Sequence, residues 1–139
     1  VVPLLVSFIP MLMDTGGNCG SQSSTLIIRG LALDEIKLSD VFRVLFKEFR
    51  ISLIVGAALS LANGLRIWIM YKSVTLAVVV SLSLMATIII SKLIGGLLPL
   101  FAKKLHCDPA IMAAPLITTI VDACSIIIYF RIATLIFHL

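Results

Sequence analysis

An aspartate in the middle of an apolar run offers more chemistry than any other residue of this sequence. Asp122 lies 13 residues beyond Pro109, in a stretch to Leu139 that is otherwise dominated by Ile, Leu, Val and Ala. A carboxylate at the centre of a bilayer costs at least ~2.5–3.5 kcal/mol, so an ionisable residue there is functional by default. Thr118, Thr119, Ser125 and Tyr129 stand at i−4, i−3, i+3 and i+7 from it, which at helical spacing makes one polar stripe on an apolar rod. The plainer reading has the hydroxyls bonding back to their own helix and Asp122 protonated against a neighbour.

A second stripe runs near the start of the chain. Asp14, Asn18, Gln22, Thr25 and Arg29 recur at i, i+4, i+8, i+11 and i+15, with Gly16, Gly17 and Gly20 among them. Such glycines either let two helices approach closely or bare backbone carbonyls to a ligand. Close packing with amides as interhelical glue explains the glycines as well as a pathway does; it explains the density of polar groups less well. Asp122, the Thr hydroxyls, Asn18 and free carbonyls supply only oxygen, which favours magnesium or calcium over zinc or copper. One Asp per chain cannot dehydrate Mg²⁺. Two chains about a two-fold axis would set a pair of Asp122 carboxylates around one hydrated ion, so the ligand arithmetic points to a homodimer with its pore on the axis.

Other chemistry is weaker. His106, Cys107 and Asp108 resemble a soft-metal trio, but three adjacent loop residues rarely converge on one ion. Lys92 would oppose cation flux unless it snorkels or meets a carboxylate. There is no Ser-His-Asp set and no phosphate-binding loop, so nothing points to an enzyme, and no basic block with stacking aromatics points to nucleic acid. Three scattered cysteines make no disulfide framework.

The elements that position these residues follow from composition. Of 139 residues 60% are hydrophobic and only 18 (11 basic plus 7 acidic) are charged, and the mean hydropathy is +1.19, which calls for a lipid bilayer as solvent. The reading is an all-α, multi-pass membrane protein with four spans, at about 2–28, 51–71, 74–105 and 109–137. A short amphipathic helix at about 39–48, with Ser39 as N-cap, would lie at the interface. The third span is over-long, and Gly95, Gly96 and Pro99 are expected to bend or break it. Pro109, after an Asp108 cap, should open the fourth. The chain begins at Val1 within an apolar run, which reads as a piece of something longer. Basic residues gather at 29–50 and 103–104, with only Arg66 and Lys72 in the hairpin between the second and third spans. That places the first two stretches in the cytoplasm and the C-terminus outside. Asp34, Glu35, Asp40, Glu48 and Asp108 would then collar the cytoplasmic mouth.

Gly16-Gly17-Asn18-Cys19-Gly20-Ser21-Gln22, continuing through Arg29, resembles the GGN-x-G-x-Q helix of MgtE-type magnesium channels. Asp108-Pro109-Ala110, Pro115 and Thr118-Thr119-x-x-Asp122 resemble the last helix of that family. The likeness covers essentially the whole chain, including Lys47-Glu48 and Leu98-Pro99. It implies a homodimeric transmembrane pore domain of five helices per chain, of which this sequence supplies helices two to five, with cytosolic N-terminal and CBS regulatory domains elsewhere in the full protein. It implies Mg²⁺ as the transported and possible regulatory ion in the cell membrane, Asp122 as the principal ion-binding residue, and Asp108 as an acidic position at the mouth. Thr118 and Asn18 would order the ion's waters, and Gly16, Gly17, Gly20, Gln22, Thr119 and Ser125 would line the pore. Ala114 stands where some members have Asn. Two other functions stay open: exchange of Mg²⁺ for Na⁺ or H⁺, and a non-conducting assembly or sensor subunit.

Overall fold

Pro10 sets the first turn of the chain. The computed structural model describes residues 2–139, and Val1 lies outside them. Helix α1 (Val2–Val6) gives way to a turn at Ser7 and Phe8, and α2 (Ile9–Ala32) restarts with Pro10 in its first turn, where a missing N–H costs nothing. Deeper in a helix the same ring would clash with the carbonyl of Val6. The segment expected as a single run over 2–28 is therefore two helices, the second ending four residues later than expected. Helix α3 (Val41–Tyr71) follows a 3-10 turn at Leu38–Asp40, α4 is Val74–Lys104, and α5 (Ala114–Phe137) follows a 3-10 turn at Pro109–Met112. No strand occurs among the described residues. Three stretches, Leu38–Tyr71, Val74–Lys104 and Ala114–Phe137, are long and apolar enough to cross a membrane. Helix α2 has the length, but its stretch from 14 to 25 is polar.

Three local expectations need correcting. Residues 39–48 form no separate interfacial helix; residues 41–71 are one helix because nothing between Glu48 and Ile51 can stop it, neither Gly nor Pro. Ser39 is not the cap either, since the Lys37 backbone N–H donates to the Asp40 carboxylate at 3.0 Å. Gly95, Gly96 and Pro99 do not break α4. The glycines instead make room for two neighbours: a methyl on Gly95 would strike the Gly20 carbonyl of α2, and one on Gly96 would sit 3.2 Å from Glu48 Cγ of α3. Asp108 does cap a proline turn, accepting from the Ala110 N–H at 3.0 Å, but that turn is a short 3-10 piece and the long helix begins only at Ala114, with Pro115 in its first turn.

Helix α4 is the hub, packed against α2, α3 and α5. One apolar cluster joins Leu5, Phe8 and Leu12 to Ile67, Val80, Leu84 and Tyr129; a smaller one joins Ile27 and Leu31 to Val44 and Leu100. Buried Ser23, Glu48, Ser52, Ser91 and Lys92 give the interior a polar belt. The end of α2, the start of α3 and the end of α4 lie together, so Arg29, Arg43, Lys47, Lys103 and Lys104 collect at one end of the bundle.

Candidate cation site

The two polar stripes meet where α2 passes α5. Met13, Asp14, Gly17 and Asn18 of α2 and Thr118 and Asp122 of α5 line an open groove of about 300 Å³. Gly17 makes the meeting possible, because a Cβ there would stand 3.1 Å from Thr118 Cγ2. Asn18 donates to Asp14 Oδ2 at 3.4 Å, a long contact that leaves most of that carboxylate's capacity free. Asp122 forms no ion pair or hydrogen bond among the described residues. Thr118 and Thr119 donate to the Pro115 carbonyl at 3.1 and 2.9 Å, spending their protons on their own helix and keeping oxygen lone pairs for a ligand. Two carboxylates, an amide and a hydroxyl on facing helices make an oxygen-rich surface suited to a hydrated divalent cation.

The other expected residues separate. Ser125 is buried, donates to the Val121 carbonyl at 2.7 Å and does not reach the groove. Tyr129 is also buried and donates to the Leu5 carbonyl at 2.6 Å, which ties the end of α5 to α1. The stripe thus divides: its first turns face the groove and its later turns face the core. Gly16 and Gly20 are buried packing positions, against Thr87 and Ser91 and against Ile117 and Val121 respectively. Gln22 points to a different cavity. Asp108, with Lys103, His106 and Cys107, borders a cavity of about 460 Å³ beside the end of α2, apart from Asp122. Among the described residues no three His, Cys, Asp or Glu side chains converge as metal ligands.

Glu48 overturns one expectation. It is 2% exposed and so cannot belong to an acidic collar in water. Ser23 Oγ donates to its Oε2 at 2.6 Å, Lys92 Nζ donates to Ser23 Oγ at 3.3 Å, and the ammonium stands 4.0 Å from the carboxylate. Lys92 has met a carboxylate, as its depth required. A signal for this lay in the sequence: Glu48 shares a helical face with Val44, Ser52, Gly56 and Ser60, the face that packs. The cavity beside this pair is about 580 Å³ and is lined by Asn18, Ser21, Gln22, Thr25, Glu48 and Lys92 among others. Its resident ammonium makes it a poor host for a second cation. Asp14 was legible only as one point of a stripe; its place opposite Asp122 depends on how α2 crosses α5.

The molecule is thus an all-α membrane bundle with an oxygen-rich groove between two of its helices. Residues 9–132 match the MgtE family, described as divalent cation transporters, and the chain belongs to that family. It is 40% identical over 137 residues to the magnesium transporter MgtE of Bacillus subtilis, a match covering 99% of this chain and 30% of that protein. The magnesium transporters MgtE of Thermus thermophilus and Enterococcus faecalis are 38% and 33% identical to it over 135 and 132 residues, covering 96% and 95% of this chain and 30% and 29% of theirs. The chain therefore spans about 30% of the length of these relatives.

Proposed function

We propose that this chain is the pore-forming part of a Mg²⁺ transporter of the cell membrane, and that two copies pair so that their Asp122 carboxylates flank one axial pathway. The observation that carries the reading is the groove between α2 and α5, where Asp14 and Asp122 are open on one side and, among the described residues, paired with no basic side chain. A carboxylate unpaired within its own subunit is costly in a membrane unless an ion or a second subunit completes its surroundings. A hydrated Mg²⁺ keeps its waters and is held through them, with Asn18 and Thr118 as further oxygen contacts and Asp122 as the main charge. Asp108 sits at the end of the bundle assigned to the cytoplasm, where regulatory Mg²⁺ and the cytosolic domains of the full protein would act, and the C-terminus faces outward.

The test is Mg²⁺ uptake into liposomes carrying the full-length protein, read with a trapped magnesium dye. Uptake driven by the Mg²⁺ gradient and membrane potential alone is expected, and a requirement for a Na⁺ or H⁺ gradient would replace the pore with coupled exchange. No uptake by folded protein would leave only the non-conducting reading. Cysteines placed at Thr119 should cross-link between subunits if the groove faces the two-fold axis.

A further inference from the structure

The first turns of α3 carry a surface that the cation groove does not use. Phe42, Phe46 and Phe49 form one exposed stripe, with 85%, 60% and 39% of their surface open, and Arg43, Lys47 and Arg50 form an exposed stripe beside it. At about 100° per residue the two stripes are centred roughly 100° apart, while Val44 and Glu48 on the third side pack against Gly96 of α4. The only carboxylate among residues 41–50 is Glu48, which is turned inward. None of the three cations makes an ion pair among the described residues, and Arg50 lies over the Phe46 ring at 4.9 Å.

Depth fixes what meets this surface. From Arg50 to Tyr71 is 21 residues, and at about 1.5 Å each that is roughly the ~30 Å of a hydrocarbon core. Between them the outward face carries Leu53, Ile54, Leu61 and Leu65, all exposed, with exposed Arg66 close to its far end, and it closes with Trp68 and Tyr71, residues suited to a membrane boundary. With Tyr71 at one boundary Arg50 falls at the other. Lys47 and Arg43 then rise about 5 and 10 Å further, through the headgroup layer. A soluble anion would satisfy the cations and leave three phenylalanines in water. A soluble protein could cover Phe42 and Phe46 but not Phe49 and the apolar face that runs on from it into the lipid-facing side of α3.

We propose that Arg43, Lys47 and Arg50 bind the phosphate of an anionic phospholipid, with Phe49 at the start of its acyl chains and Phe46 and Phe42 beside its glycerol and headgroup. The guanidinium groups supply paired donors to phosphate oxygens and Lys47 a point charge. The proposal is independent of which ion the protein carries.

The test uses the full-length protein in phosphatidylcholine membranes and compares spin-labelled phosphatidylglycerol with spin-labelled phosphatidylcholine in the motionally restricted lipid shell. Wild-type protein should select phosphatidylglycerol, and added salt should weaken that selection. Each basic side chain at an anionic surface is worth roughly fivefold, so Arg43→Gln/Lys47→Gln/Arg50→Gln should remove at least about fivefold of any selectivity. Arg29→Gln/Lys103→Gln/Lys104→Gln, which removes equal charge from the same end of the bundle, should retain most of it. Wild-type protein without preference, or equal losses in the two triple variants, would overturn the proposal. If the first variant does not fold, Arg43→Lys/Lys47→Arg/Arg50→Lys, which keeps every charge, must still select the anionic lipid, and failure to do so also counts against it.

Discussion

Helix α2 touches two sets of acidic residues, and they have opposite fates. On the side facing α5, Asp14 and Asp122 look into an open groove with no basic side chain paired to them among the described residues. On the side facing α3 and α4, Glu48 is buried with Lys92 and bridged by Ser23. Asn18 borders both cavities. The contrast shows that a carboxylate inside a membrane protein is not by itself a transport site. Glu48 has its counter-charge built in and serves the packing of three helices; Asp122 has none among the described residues, and under the proposed function an ion would supply it.

The largest effect on uptake should come from removing the charge in the open groove. Asp122→Asn is predicted to lower Mg²⁺ uptake by more than about tenfold, the equivalent of ~1.4 kcal/mol, with elution from size-exclusion chromatography unchanged. Near-normal uptake would erase the distinction between the two sets. Lys92→Met should instead strike stability, at roughly 3–5 kcal/mol, because it strands a buried carboxylate. Glu48→Gln/Lys92→Met should recover most of that loss in thermal unfolding and retain uptake, whereas a transport role for the pair would keep the double variant inactive. Gly95→Ala forces a methyl against the Gly20 carbonyl, a backbone atom that cannot rotate away, and should cost roughly 1–3 kcal/mol. The smallest change is expected from Asp14→Asn, a loss of about two- to fivefold in uptake at low salt, since this carboxylate is exposed and screened.

Much of this was readable before any coordinates. Helical spacing placed Asp122 with Thr118, and Asp14 with Asn18, because a 3.6-residue period decides which residues share a face. It does not decide what the face meets. Ser125 and Tyr129 share the stripe with Asp122, yet Tyr129 reaches the Leu5 carbonyl far back in the chain, a pairing set by tertiary packing alone. The same limit hid the partnership of Glu48 with Lys92, which belong to different helices. By intrinsic preference glycine and proline in α4 suggest breaks; in a helix packed against three others they are buried contact points, since packing outweighs that preference. The boundary of α3 was misplaced for the opposite reason. A change from charged to apolar composition at Arg50 marks a change of solvent, and the backbone crosses it without a turn.

The pair of Glu48 and Lys92 also bears on how such a sequence can change over generations. Replacing both members with uncharged residues of similar size is close to neutral, but replacing either alone strands a charge in the interior. Substitutions arrive one at a time. A lineage holding this pair therefore sits in a basin with a steep rim, and it can exchange the charges for apolar packing only by passing through an ancestor that folds poorly.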